Sequence, residues 1–232
     1  MAFSLSVLAI FWLLCVACIL RIFSLLPAQK SSGRVRVSNN TSTTRKLAVF
    51  LGSGGHTSEA IALLSSLDFT RFSPRIYIVS DGDNLSAQKA RDLESKKCAS
   101  SSGNNFAVLT IPRARRVHQS LFSIPLTAFW SLSRCMQLVT LSPLLSSSSS
   151  QPFADVLILN GPGTCLSLCI AVYVSKFIGC PAPRLIYVES FARVRSLSLS
   201  GKLLRPLVDR FVVQWPQPLA DGGRGDSFGW LV

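Results

Sequence analysis

Three short segments bring together glycines, a histidine, a carboxylate and hydroxyls in spacings that suit anion binding and proton transfer. The first is Gly52-Ser53-Gly54-Gly55-His56-Thr57. Glycines let a chain turn sharply and bring its N–H groups close to a ligand, and a helix start behind them favours an anion. The segment lacks the Gly-Lys-Ser/Thr ending of an ATPase phosphate loop, and Thr57 stands where Gly-x-Gly-x-x-Gly has its third glycine. His56 adds a group that can donate to a phosphate or take a proton. A tight turn with no ligand is the plainer reading of the same residues. The second segment is Asn160-Gly161-Pro162-Gly163-Thr164, which offers either another set of free N–H groups or a simple helix cap. The third is Glu189-Ser190-Phe191-Ala192-Arg193-Val194. Its carboxylate suits a ligand hydroxyl, or an ion pair with Arg193.

All three segments follow short apolar runs, and that placement gives the architecture. Residues 46–51 (KLAVFL) read as a strand buried on both faces. Further strands are expected at 75–79, 106–111, 155–159, 184–188 and 211–213. Helices are expected at 57–67, at 83–97 with Asp83 as cap, and at 164–178. Strands alternating with helices imply a parallel sheet with right-handed crossovers, in which ligands bind beyond the carboxyl ends of the strands. Between the third and fourth strands lies an insert, 113–150. Arg113, Arg115 and Arg116 lead into a run whose only charge is Arg134. On a helical wheel Ser120, Ser123, Thr127, Ser131, Arg134 and Gln137 form a narrow polar stripe, and large apolar side chains cover the rest. A crossover helix packed on the sheet, a second membrane span and a helix lying in the membrane interface are all compatible with that pattern. Serines 146–150 read as a low-complexity loop.

The front of the chain differs in kind. Residues 2–20 carry no charge, and the apolar run continues to Leu26 before Pro27. About 20 apolar residues cross a bilayer's hydrocarbon core. A cleaved signal peptide is the alternative, but no Lys or Arg precedes the run and no Ala-x-Ala site follows it. Bases pile up behind it at Arg21, Lys30, Arg34, Arg36, Arg45 and Lys46, and the first acid of the chain is Glu59. The positive-inside tendency then puts the bulk of the protein in the cytosol. The expected division is an anchor at 1–26, a basic linker at 27–44, a Rossmann-like domain at 45–216 and a tail at 217–232.

Composition agrees. The 232 residues carry a net charge of +13, with only 15% charged and 48% apolar, and mean hydropathy is +0.39. A disordered polyelectrolyte would be poorer in apolar residues, and two full α/β domains need a longer chain. A nucleic-acid binder would interleave basic and aromatic residues on one face. Here the bases sit behind the apolar run and at Arg113, Arg115 and Arg116, which suits an anionic lipid surface or a diphosphate. The seven cysteines are odd in number, with no Cys-x-x-Cys outside the apolar run, so buried free thiols are expected.

Four motifs in order, GSGGHT, NGPGT, ESFARV and VQWP, behind one N-terminal apolar segment, make the stretch from Arg45 to Pro216 resemble the asparagine-linked glycosylation protein fourteen family. The resemblance implies the membrane subunit of a two-chain glycosyltransferase. That complex adds the second N-acetylglucosamine, from UDP-N-acetylglucosamine, to N-acetylglucosaminyl-diphosphodolichol at the cytosolic face of the endoplasmic reticulum. It also implies half of a two-domain GT-B-type fold, with the donor site on a soluble catalytic partner and no activity without that partner. On this reading His56 and Glu189 are the catalytic candidates. Gly52, Ser53, Gly54, Gly55, Thr57, Asn160, Gly161, Gly163, Thr164 and Arg193 are the candidates for holding the acceptor diphosphate. No metal triad is visible and no cofactor is implied, because helix dipoles and donors can stabilise the leaving diphosphate. The glycines at 222, 223 and 225 and the ending Gly229-Trp230-Leu231-Val232 depart from the charged, Tyr- or Lys-containing stretch and the Gly-Arg-hydrophobic tail that the resemblance implies, the tail being what docks the partner. Two other functions fit parts of the sequence: a tethered dinucleotide enzyme with Asp81 on a ribose, and a scaffold that only recruits a soluble enzyme.

Overall fold

The computed structural model describes residues 2–27, 44–98, 105–115, 119–145 and 151–231. Most of the expected linker, Arg116 and the serine run 146–150 lie outside the described residues. Seven strands form one sheet: β1 (Leu47–Leu51), β2 (Arg75–Ser80), β3 (Phe106–Ile111), β4 (Val156–Asn160), β5 (Arg184–Val188), β6 (Arg210–Val213) and β7 (Asp226–Ser227). Their order is β3-β2-β1-β4-β5-β6-β7, and every neighbouring pair is parallel. The helices are α1 (Ala2–Leu25), α2 (Gly55–Ser65), α3 (Asn84–Cys98), α4 (Ile124–Met136), α5 (Ser142–Leu145), α6 (Thr164–Phe177) and α7 (Leu199–Leu204). The single parallel α/β sheet expected from the strand and helix pattern is present, with six of its strands where the apolar runs placed them.

Alternation along the strands divides the core in two. Leu47, Val49, Leu51, Tyr77 and Val79 pack against α2 and α3. Ala48, Phe50, Ile76, Ile78, Leu157 and Leu159 pack against α6, against Cys135 of α4 and against Val139 just after it. β1 is buried at every position, which is why its sequence is apolar without a break. One buried ion pair ties α3 to β2: Arg75 meets Glu94 at 2.6 and 2.9 Å, and Tyr77 donates to the same carboxylate at 2.6 Å. Asp83 caps α3 as expected, accepting from the Ser86 amide at 3.1 Å and the Ser86 hydroxyl at 2.7 Å.

The sheet order reverses at β1, which pairs with β2 on one side and β4 on the other. The loops after β1 and β4 therefore lead to helices on opposite faces and leave a crevice between them.

The insert packs with its wheel turned over. Ser131, Cys135, Val139 and Thr140 are buried against α6, where the Thr140 and Ser175 hydroxyls lie 2.7 Å apart. Small side chains let the two helices approach closely. Phe122, Leu126, Phe129 and Trp130 point outward and are 98%, 74%, 67% and 62% exposed. The polar stripe thus splits: Ser131 faces inward, while Arg134 and Gln137 bond to each other on the surface. A π-helical turn at Gln137–Leu141 joins α4 to α5.

α1 rests on the end of α6. The Arg21 guanidinium donates to the Lys176 carbonyl at 3.0 Å and the Phe177 carbonyl at 3.4 Å, satisfying acceptors that a helix end leaves open. Phe11, Trp12, Leu13, Leu20 and Phe23 on α1 are exposed. Among the described residues no helix is long and apolar enough to cross a membrane.

Candidate active site

The glycine loop opens α2 without a side-chain cap, and its N-cap residue Gly54 sits at φ +68°. A β-carbon on Gly54 or Gly55 would meet nothing within 4 Å, so this rim is open. The N–H groups of the first turn have no intrahelical partner and face that opening, as an anion site needs. Gly52 and Gly161 have a different reason to be glycine. A β-carbon at Gly52 would lie 2.8 Å from the Asn160 carbonyl oxygen and 3.1 Å from the Gly161 Cα. The loops after β1 and β4 touch backbone to backbone there.

His56 stands at this junction, half-buried. Its Nδ1 lies 2.9 Å from Asn160 Oδ1. Asn160, fully buried, donates through Nδ2 to Glu59 Oε2 at 3.1 Å. The other oxygen of Glu59 accepts from the Ser190 hydroxyl at 2.8 Å. One chain of hydrogen bonds thus links the loops after β1, β4 and β5.

Thr57 is buried at 1% exposure, and its hydroxyl is held by the Gly52 carbonyl and, at 2.6 Å, the Ser86 hydroxyl. It shapes the loop from below. Thr164, also buried, accepts from the Ala114 amide at 3.2 Å and pins the segment after β3 to α6. Gly163 is open. Glu189 is 2% exposed, and its carboxylate accepts from the Ser190 amide at 3.2 Å, the Ser198 amide at 3.1 Å and the Ser198 hydroxyl at 3.0 Å. It braces the loop into α7, and a side chain at Gly201 would collide with it. Arg193 is exposed, and its backbone amide donates to the Ser190 carbonyl at 2.9 Å.

Beyond the carboxyl ends of β2 and β3, against α4, lies a cavity of about 420 Å³ lined by Asp81, Pro112, Arg113, Leu126, Thr127 and Trp130. Arg113 Nε is buried there with no hydrogen-bond partner among the described residues. Burial pushes the Asp83 carboxyl up, but bonds from Ser86 and Ser53 and the charge of Arg113 outweigh that and hold it below its ordinary value. The cavity is therefore amphipathic, with an arginine at the polar end and the exposed face of α4 at the other.

At the far side the tail folds back on the site. Phe191, Trp215 and Trp230 form an aromatic cluster with centroids 5.1 to 5.9 Å apart, and Trp215 donates to the Phe191 carbonyl at 2.7 Å. The Leu231 amide donates to Gln214 Oε1 at 3.3 Å, and Gln214 donates to the Glu189 carbonyl at 3.3 Å.

Residues 47–229 match the family model described as "Oligosaccharide biosynthesis protein Alg14 like". The chain belongs to the Alg14-like family. The match runs through the glycine-rich stretch at 222–229. The UDP-N-acetylglucosamine transferase subunit ALG14 of Cryptococcus neoformans is 47% identical over 211 residues, 91% of this chain and 90% of that one. The mouse protein of the same name is 38% identical over 176 residues, 74% of this chain and 76% of that one. A solved structure, Arabidopsis thaliana UGT89C1 complexed with quercetin, superposes with a TM-score of 0.41 at 15% identity over 74% of this chain and 44% of that one.

The resemblance drawn from the four motifs is borne out by the Alg14-like match. Of the candidate site residues in this family member, the crevice brings His56, Asn160, Gly52, Gly54, Gly55 and Gly161 together. Ser53 reaches Asp83 rather than the crevice floor. Glu59, the first acid of the chain but not among the candidate site residues, lies three residues after His56 and so on the same helix face. Ser190 lay within a recognised motif without a role.

Proposed function

We propose that the chain is the membrane-anchored, acceptor-binding subunit of a UDP-N-acetylglucosamine transferase complex. The complex adds the second N-acetylglucosamine to N-acetylglucosaminyl-diphosphodolichol at the cytosolic face of the endoplasmic reticulum, during assembly of the N-glycan precursor. The observation that carries this reading is the match, across nine-tenths of both chains, to a relative named as a UDP-N-acetylglucosamine transferase subunit. A single parallel sheet with an open crevice supports it, since such a domain offers one wall of a two-domain active site. A soluble catalytic chain supplies the other wall and the donor nucleotide, and the tail at 217–232 docks it.

α1 holds the protein to the membrane through its exposed apolar side chains. The outward face of α4 rests in the interface. The acceptor's diphosphate lies on the open N–H groups of Gly54, Gly55 and His56, with Arg113 at the cavity wall toward the lipid. His56 takes the proton of the acceptor hydroxyl as its oxygen bonds to the donor's anomeric carbon. The bond from that carbon to the diphosphate breaks, and UDP leaves with the electron pair. Glu189 and Thr57, both buried and committed, position loops and do not touch substrate.

The test is co-expression with the soluble partner, followed by transfer from UDP-N-acetylglucosamine to the diphosphodolichol acceptor. Wild type transfers, and His56→Ala loses about a hundredfold or more in kcat while still recruiting the partner. Full activity of His56→Ala would leave a recruiting scaffold as the reading. Tight NAD binding would turn it to a dinucleotide enzyme using Asp81.

A further inference from the structure

We infer that Glu59 is a positioning residue that fixes the tautomer of His56 through Asn160. The inference rests on the reading of His56 as the proton acceptor only for its effect on turnover; the tautomer itself is a property of the protein alone. An ionised carboxylate has no proton to donate and accepts only. Glu59 receives the Ser190 hydroxyl on Oε1 at 2.8 Å and an Asn160 amide hydrogen on Oε2 at 3.1 Å. An asparagine whose NH2 is turned toward a carboxylate must present its oxygen on the other side. That oxygen lies 2.9 Å from His56 Nδ1. The contact is a hydrogen bond only if Nδ1 carries the proton, so Nε2 keeps its lone pair.

Each group has one partner that decides its direction, and the chain of decisions begins at the charge of Glu59. Asn160 is fully buried and Ser190 is 8% exposed, so bulk water offers little alternative for either. The arrangement is the carboxylate–histidine pairing of many hydrolytic sites with one amide interposed. It presents a ring nitrogen with a free lone pair toward the crevice, and it lets the carboxylate's charge favour the imidazolium formed when the acceptor hydroxyl is deprotonated. It also explains why the loop after β5 matters to a histidine on the loop after β1. Ser190 holds the second oxygen of Glu59 and stops the carboxylate from turning to meet the ring itself.

The chain has only two histidines, His56 and His118, which makes the tautomer readable. The full-length protein, labelled with 15N in histidine alone and solubilised in detergent, is examined by long-range 1H–15N correlation under conditions where the rings are neutral. His118→Gln assigns the signals. Wild type is expected to show His56 with a proton on Nδ1 and a bare Nε2. Glu59→Gln, which can present an NH2 to Asn160 and release its orientation, should move the ring partly or wholly to the Nε2–H form. Glu59→Asp, which keeps the charge, should retain the wild-type form. With the soluble partner, Glu59→Gln is expected to lower kcat at least tenfold with the acceptor KM changed less than about twofold, and Glu59→Asp to recover part of the loss. An Nε2–H ring in wild type, or one unchanged in Glu59→Gln, overturns the proposal without any assay of transfer. The wild-type measurement needs no variant to fold. A tautomer that changes as expected while kcat does not would leave the relay standing and remove His56 as the base.

Discussion

The contact between Gly52 and the loop after β4 offers a sharp test of which glycines serve packing and which serve ligand. Alanine at Gly52 places its β-carbon 2.8 Å from the Asn160 carbonyl oxygen, 2.9 Å from His56 Cβ and 3.1 Å from the Gly161 Cα. Ordinary contact begins near 3.4 Å, so the two loops must part by about 0.5 Å, and two of the three neighbours are backbone that cannot swing away. Overpacking of this kind costs about 1–3 kcal/mol. In a domain of this size that lowers the melting temperature by roughly 2–4 °C per kcal/mol. The same displacement moves Asn160 and His56 together, and a shift of that order at a reacting group costs on the order of tenfold in turnover. Gly55→Ala is the control: its β-carbon meets no atom and it opens a helix, where alanine is favoured over glycine. Its melting temperature should equal or exceed wild type, yet its methyl group projects where the diphosphate is proposed to lie, so the acceptor KM should rise. Thermal unfolding of the full chain, with kcat and acceptor KM measured beside the soluble partner, separates the two. Gly52→Ala as stable and as fast as wild type would refute the close-approach argument. Gly55→Ala with an unchanged acceptor KM would reduce the loop to a turn.

Gly54 has open space but φ +68°, so Gly54→Val should cost about 1–2 kcal/mol in backbone strain and abolish acceptor use, while partner recruitment persists in a pull-down. A variant keeping Trp130 as its sole tryptophan, reconstituted at full length into vesicles with brominated lipid, should show quenched emission; unquenched emission would take the outward face of α4 out of the membrane interface. The Arg205 guanidinium and the Gly223 amide hold the Asp221 carboxyl at about 2, so its contribution to stability is complete above its ordinary value of 3.8 and lost as pH falls toward 2. Acid unfolding should accordingly show wild type ahead of Asp221→Asn at pH 5 and level with it near pH 2. Burial pushes the Cys135 and Cys169 thiols up to about 12 and Cys165 well above its ordinary value. These three should resist maleimide in the native protein and react after unfolding, as read by mass spectrometry; native labelling would contradict the packing of α4 on α6.

The sheet was legible because its central strands are buried on both faces and so appear in the sequence as unbroken apolar runs. The glycine loops were legible because each follows such a run and opens a helix. β7 was not, since two residues, Asp226 and Ser227, pair with β6 without any apolar signature. α7 is six residues long and is held by Ser198, which accepts from the Gly201 amide, a cue too short to separate from a turn. A helical wheel gives the width of a face but not what lies against it. The small side chains of α4 proved to be the contact surface and its large apolar ones the exposed surface. Within the site, residue type pointed to His56 and to the open glycines. It also pointed to Thr57 and Glu189, whose burial and bonding to loop atoms depend on three-dimensional neighbours. The role of Glu59 was not legible because a glutamate on an amphipathic helix reads as a solvated face until the partners on two other loops are seen.

The grip of Arg21 on the end of α6 has a consequence for reach. α6 is a rod of 14 residues, about 21 Å long, that begins at the crevice loop and ends under the N-terminal helix. The distance between α1 and the crevice is then set by one stiff strut and not by the length of the polypeptide that joins them. Lengthening the stretch between residues 28 and 44 would leave the crevice at the same distance from α1. Loosening Arg21 would let the whole sheet pivot against α1, and the crevice would lie at no fixed distance from it.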